Sequence, residues 1–192
     1  MQYDLKIALT TTKKTTTRTR KAATPKPAAK KTTTRKPAKP KAVKITLTPT
    51  SLVHDIFSAI SSERTKAKKL EILRNYNENF IKAVLIWNFD ETIISVLPEG
   101  EVPIQQKENA DKNPNTNIRK EWDKFYNFVK GGNDGMSRLK KETMFINILE
   151  QLHPGEAEVV CLAKDKKLDT KYKLTRELVS EAYPDITWGN RS

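Results

Sequence analysis

The chain has 192 residues, enough for one ordinary domain or a smaller domain with a tail. Its formal charge of +13 arises from 36 Lys+Arg against 23 Asp+Glu, and one cysteine with two histidines excludes an internal disulfide and a Cys/His zinc cluster. No apolar run approaches the roughly 18 residues of a membrane span, and the opening MQYDLKIALT lacks the long apolar core of a secretory signal, so the expectation is a soluble intracellular protein.

All of the net charge sits in residues 11–44, which hold 13 Lys/Arg and no acid, whereas residues 45–192 hold 22 basic and 22 acidic residues. The remaining positions of 11–44 are 10 Thr, 6 Ala, 4 Pro and Val43. A segment with so little apolar surface cannot offset its ordering entropy, and like charges repel, so residues 1–44 are expected to be a disordered basic tail. Lys13-Lys14-Thr15-Thr16-Thr17-Arg18 recurs as Lys30-Lys31-Thr32-Thr33-Thr34-Arg35, too short and polar for a solenoid unit.

A neutral body spans 45–192. Ile45 to Thr48 alternates briefly, and Thr50 or Ser51 is positioned to cap a helix carrying Leu52, Val53, Ile56, Phe57 and Ile60 at helical period. Helices follow over about 63–75, ended by Asn75 and Asn77, and over Phe80 to Trp87, while Ile93 to Val96 reads equally as strand or helix. Residues 97–117, with Pro98, Gly100, Pro103 and Pro114, have loop composition, and a loop of that length is expected to be functional or mobile. Trp122, Phe125, Tyr126 and Val129 fall at i, i+3, i+4 and i+7 of a helix that Gly131-Gly132 stops. Asp134 can cap the next, over about 136–152, whose apolar second half (Met144, Phe145, Ile146, Ile148, Leu149, Leu152) predicts the most buried element. Pro154-Gly155 turns into a helix to about 165, and a last one runs near 175–183. The body is therefore expected to be all-α, an irregular bundle of six or seven helices.

Phe128-Val129-Lys130-Gly131-Gly132-Asn133-Asp134, Lys140-Lys141-Glu142-Thr143-Met144-Phe145, Leu152-His153-Pro154-Gly155-Glu156-Ala157-Glu158 and Lys164-Asp165-Lys166-Lys167-Leu168 occur in order. Together with Leu97-Pro98-Glu99-Gly100 and Glu181-Ala182-Tyr183-Pro184, they resemble a family of uncharacterised proteins of T-even-like contractile-tailed phages, especially those of marine cyanobacteria. The resemblance covers about 50–185. It implies a helical body made in an infected host cell, in the host cytoplasm or with the virion, and it implies no activity. The Thr/Lys/Pro tail is not part of that pattern.

The tail carries the strongest functional signal. A flexible cationic chain that displaces condensed counterions from a polyanion gains affinity without a fixed geometry. The candidate nucleic-acid-binding residues are Lys13, Lys14, Arg18, Arg20, Lys21, Lys26, Lys30, Lys31, Arg35, Lys36, Lys39, Lys41 and Lys44. With no aromatic in 11–44, contact is expected through phosphates and indifferent to sequence, with DNA favoured over RNA. The plainer reading is a solvated tail, and the alternative function is an adaptor or minor structural protein whose body docks on a phage or host complex.

Other chemistries are weaker. His54 and His153 lie in no hydrolase motif, and His153 at a helix end is expected to meet the dipole as an imidazolium. Cys161 reads as a small core hydrophobe. Glu156, Glu158, Asp165 and Asp169 do not follow a calcium-loop spacing, and Gly131 to Gly135 lacks the phosphate-cradle pattern. Lys66, Lys68 and Lys69, and Lys164, Lys166 and Lys167, read as exposed helix faces, and Trp122, Phe125 and Tyr126 as core. The expectation is a non-enzymatic protein without cofactor or metal.

Overall fold

Residues Thr48 to Ser51 turn the chain, with the Ser51 amide donating to the Thr48 carbonyl (3.0 Å) and the Thr48 amide to Ser51 Oγ (2.8 Å). The computed structural model describes residues 46–106 and 109–189. The expected disorder of the tail and the boundary at 44/45 lie outside the described residues. Among the described residues, eight α-helices and one 3₁₀ helix carry the fold, and the pairing of Ser95 with Val129 is an isolated antiparallel bridge. The body is all-α.

The first helix, α1 (Val53–Ser62), buries Val53, Ile56, Phe57 and Ile60 on one stripe at the expected period. Its cap is not the expected Thr50 or Ser51. Leu52 stands at that position, and the orphan Val53 amide donates instead to Glu156 Oε1 (3.1 Å), so a carboxylate from a distant helix supplies the acceptor that no local side chain does. Helix α2 (Lys66–Asn75) buries Leu70 and Leu73 and leaves its cations outside. Its last turn is closed by Tyr183, whose buried hydroxyl donates to a site shared by the carbonyls of Leu73 (2.7 Å) and Tyr76 (2.9 Å).

Helix α3 (Asn79–Phe89) buries Phe80, Ile81, Val84, Leu85, Trp87 and Asn88, which spreads burial around more than one face. The ambiguous stretch after it is neither helix nor ladder. The Val96 amide donates to the Phe128 carbonyl (2.9 Å) and the Lys130 amide to the Ile94 carbonyl (2.8 Å), one bridge's worth of pairing. The long loop is pinned by backbone donors: Gly100 to Asp165 Oδ2 (3.2 Å), Gln105 to Glu150 Oε1 (3.2 Å), and Asn115 and Thr116 to the Gln151 carbonyl.

The helix expected around Trp122 is instead a short α4 (Ile118–Glu121) running into a 3₁₀ helix (Trp122–Phe128). Spacing explains the difference. In a 3₁₀ helix residues three apart eclipse, so Phe125 and Phe128 are buried on one edge with Trp122 above them, and Tyr126, assigned to the apolar face by an α period, is 55% exposed. The chain then reverses at Gly131, at φ +79°, and a Cβ on Gly132 would overlap the Tyr126 carbonyl.

Helix α5 (Arg138–Gln151) is capped by Ser137, not Asp134, through Lys140 N–H to Ser137 Oγ (3.4 Å). Nor is it the most buried element. Phe145, Ile148 and Leu149 are buried, but Met144 and Ile146 are half-covered and Leu139 is 74% exposed, because α5 packs against its neighbours from one side only. That place belongs to α3 and to α6 (Pro154–Lys164), which pack on one another and each bury six of eleven residues. Two short helices complete the body: α7 (Leu168–Tyr172), which no periodicity announced, and α8 (Arg176–Ala182), which lies on α2. Asn88 Oδ1 accepts from the Leu168 amide (3.1 Å) and so starts α7 from α3. An aromatic cluster of Trp87, Phe125, Phe128 and Phe145, with ring centroids 5.1 to 6.4 Å apart, joins α3, the 3₁₀ helix and α5. Burying rings of this kind contributes about 1.5–3 kcal/mol each.

Candidate functional site

The expected interface, the thirteen cations from Lys13 to Lys44, lies outside the described residues. Within them, polar chemistry gathers first where the N-termini of α1, α4 and α6 meet. Glu156, in the first turn of α6 and 1% exposed, accepts from the Val53 amide on Oε1 (3.1 Å) and from the Ile118 amide on Oε2 (3.0 Å). Burial raises its carboxyl above the ordinary Glu range, although the two amides favour the anion. Both oxygens are committed to helix starts, so Glu156 acts as a rivet between three elements.

Beside it His54 and His153 stack, with centroids 4.3 Å apart and planes 12° from parallel. His153 was expected as an imidazolium at the end of α5. Instead it is the N-cap of α6, its Nδ1 accepting from the Gly155 amide (3.0 Å), which requires a lone pair on that nitrogen. His54 Nε2 lies 3.4 Å from Asp55, and His54 Nδ1 is buried without a protein partner among the described residues. A neutral imidazole protonated on Nε2 suits this arrangement. Burial is the largest influence and holds His54 below the usual imidazole range; Asp55 opposes it, His153 and Lys171 add to it, and Glu158 opposes it.

The acidic residues weighed for a metal go to separate partners. Glu158 pairs with Lys171, Asp165 with Lys164, and among the described residues no group of three or more His, Cys, Asp or Glu could hold a metal ion. Cys161 is half-buried and packed against the core, and burial pushes its thiol up to about 11, which keeps it protonated.

In the second lysine cluster Lys166 and Lys167 are exposed as expected, and Lys164 is not. Lys164 is 4% exposed and its ammonium donates to the Pro98 carbonyl (2.7 Å) as well as to Asp165, while Lys166 donates to the Asp90 carbonyl (2.7 Å). Both tie loops to α6. Sequence patterning missed this because nothing in a run of lysines tells which ammonium meets carbonyls from residues far away in the chain.

The aromatic triplet splits as well. Phe125 is buried and Trp122 half-buried, whereas Tyr126 is exposed, and all three line a groove of about 570 Å³ together with Ile86, Trp87 and Ile186. Lys82 and Asp185, paired at 2.5 Å, close one side, and Asp123 stands on the lining.

A family model described as a family of unknown function, DUF6433, matches residues 56–170. The chain belongs to this family. No curated protein and no solved structure matches it. The DUF6433 region runs from within α1 to within α7 and includes His153 and Glu156, while the thirteen tail cations and the Tyr183 clasp lie outside it. Among the described residues, no helix is long and apolar enough to cross a membrane.

Proposed function

We propose that this is a non-enzymatic accessory protein of a phage, acting in the host cytoplasm, that binds nucleic acid through the phosphate contacts of its basic N-terminal segment. The observation that carries the reading is the segregation of charge: thirteen cations and no acid in residues 11–44, next to a body of zero formal charge. One-signed blocks of this kind commonly act as interaction tails. DNA is the favoured ligand, read without sequence preference, since the segment offers no aromatic for base stacking. The family-matched region starts at residue 56, and the basic segment lies outside it. The phage setting rests on the ordered motifs from Leu97 to Pro184.

The test is a truncation lacking residues 1–44, examined by circular dichroism and by electrophoretic shift of duplex DNA. A helical protein that has lost most of its affinity is the expected result. Undiminished binding would overturn the proposal.

The second reading, an adaptor docking on a larger complex, is favoured by the aromatic groove with Tyr126 55% exposed at its edge, since exposed apolar concavities mark binding surfaces.

A further inference from the structure

In the first lysine cluster Lys66 and Lys68 are exposed as expected, and Lys66 and Lys69 line an open cleft. Arg64 from the α1–α2 link, Lys66 and Lys69 from α2, and Lys173 from the α7–α8 link surround a space of about 370 Å³, with Thr175 and Glu177 completing the wall. Four cations from three separate segments line it with one acid, in a body of zero formal charge. Lys66 is paired with Glu181 at 2.5 Å; among the described residues, Arg64, Lys69 and Lys173 form no ion pair.

Lys69 donates from Nζ to the Lys173 carbonyl (3.1 Å), which fixes its ammonium beside the other cation's backbone. Lys173 itself ends α7 in the left-handed region, at φ +51° and ψ +35°, where glycine is the favoured residue and a lysine is strained. In addition, the first turn of α2 has Lys66, Lys68 and Lys69 and no acid, so like charge is gathered where the helix dipole is also positive. An anion in the cleft would offset the like-charge repulsion among these cations.

We infer that the cleft of Arg64, Lys66, Lys69 and Lys173 is a second phosphate-binding site, on the folded body, for the backbone of a nucleic acid. The choice of nucleic acid as the source of the phosphates rests on the reading of the tail; the site itself rests on the cleft. An open groove of separate lysines and an arginine suits consecutive phosphodiesters, which need point charges and no base-reading geometry. The cleft would hold two or three phosphates, giving a slope of log affinity against log salt of about −2 to −3 at roughly −0.9 per phosphate.

The experiment uses the full chain in three forms: all thirteen tail cations changed to Gln; Lys69→Gln with Lys173→Gly; and both sets combined. Duplex DNA binding is followed by fluorescence anisotropy across a salt series, and thermal melting is recorded for each form. Lys173→Gly places glycine where the backbone favours it, so its melting temperature should not fall and lost binding cannot be ascribed to misfolding. The tail-neutral form should keep weak binding with the shallow slope, the combined form should lose at least tenfold of that, and the Lys69/Lys173 pair alone should flatten the slope of the otherwise native chain by about 2. Inorganic phosphate at equal phosphate concentration should leave the DNA bound; displacement by it overturns nucleic acid as the ligand. A tail-neutral form that binds no DNA, or a combined form that binds as well as the tail-neutral one, overturns the cleft and leaves the tail reading intact. A tail-neutral form that binds like the native chain, with binding lost in the combined form, overturns the tail reading and leaves the cleft.

Discussion

The rings of His54 and His153 lie face to face, 4.3 Å between centroids and 12° from parallel, and Gly155 gives them the room. A Cβ on residue 155 would run into the His54 ring. Gly155→Ala should therefore destabilise the protein by about 1–3 kcal/mol through overpacking, despite the roughly 1 kcal/mol that alanine gains over glycine within a helix. In a His54→Ala background the ring is gone and the same change should become stabilising by up to about 1 kcal/mol. A double-mutant cycle by urea denaturation reads this reversal, and additive effects would show that the stack does not constrain α6.

His54 sets a pH dependence. Because burial holds folded His54 below the unfolded imidazole value of about 6.5, the unfolded chain takes up the proton first, and stability falls as pH drops through about 6.5 toward the folded value. Above 6.5 the full contribution is present. Glu156 is raised and acts in the opposite sense, with stability declining as pH rises from about 4.5 through its folded value. Denaturation curves at pH 7.5, 6.5 and 5.5 should show His54→Gln flattening the fall between pH 6.5 and 5.5, by no more than about 1.4 kcal/mol per pH unit. A profile unchanged by the substitution would contradict this account.

Glu156→Gln keeps the shape of the rivet but offers one oxygen where two amides need acceptors. One buried N–H, of Val53 or Ile118, is left facing an amide nitrogen, at a cost of about 1–3 kcal/mol. Hydrogen exchange should speed up at the starts of α1 and α4 before the rest of the body, and uniform loss of protection would mean that Glu156 does not join these ends.

Cys161 provides a check on burial in solution. With its thiol pushed up to about 11, alkylation at pH 8 should run about ten to a hundred times slower than for a free cysteine, and denaturant should remove the difference. Rapid modification of the native protein would place the thiol in water.

For the tail, engagement of all thirteen cations on duplex DNA would give a salt slope of about −12, and about half of that is expected from a chain that contacts only part of the time. Lys→Gln at Lys13, Lys14, Lys30 and Lys31 should weaken binding and flatten the slope, while Ser in place of Thr15, Thr16 and Thr17 should change little. Equal-length duplexes of unrelated sequence should bind within a few-fold of one another. A shallow slope with strong preference for one sequence would mean that the body reads bases.

The sequence by itself determined the all-α class and the positions of the longer helices, because Val53, Ile56, Phe57 and Ile60, or Phe80, Ile81, Val84 and Leu85, repeat at a period that only a helix turns to one side. It also determined the separation of a cationic segment from a neutral body, which is a matter of counting charges. It did not separate 3₁₀ from α at Trp122–Phe128, since spacings of three and four both fit a helical wheel until Phe128 is seen buried and Tyr126 exposed. Only the tertiary structure decided what caps α1, which lysines are buried and which line a cleft, and on which helix terminus His153 acts. The first three depend on an atom more than a hundred residues away, as with Glu156 at Val53, or on a loop folded back, as with Pro98 over Lys164 and Lys173 beside Lys69, whereas for His153 the choice is local, its Nδ1 turned to the Gly155 amide. A polar side chain carries no periodicity that names its partner; the packing of the apolar faces brings the two together, and the hydrogen bond follows.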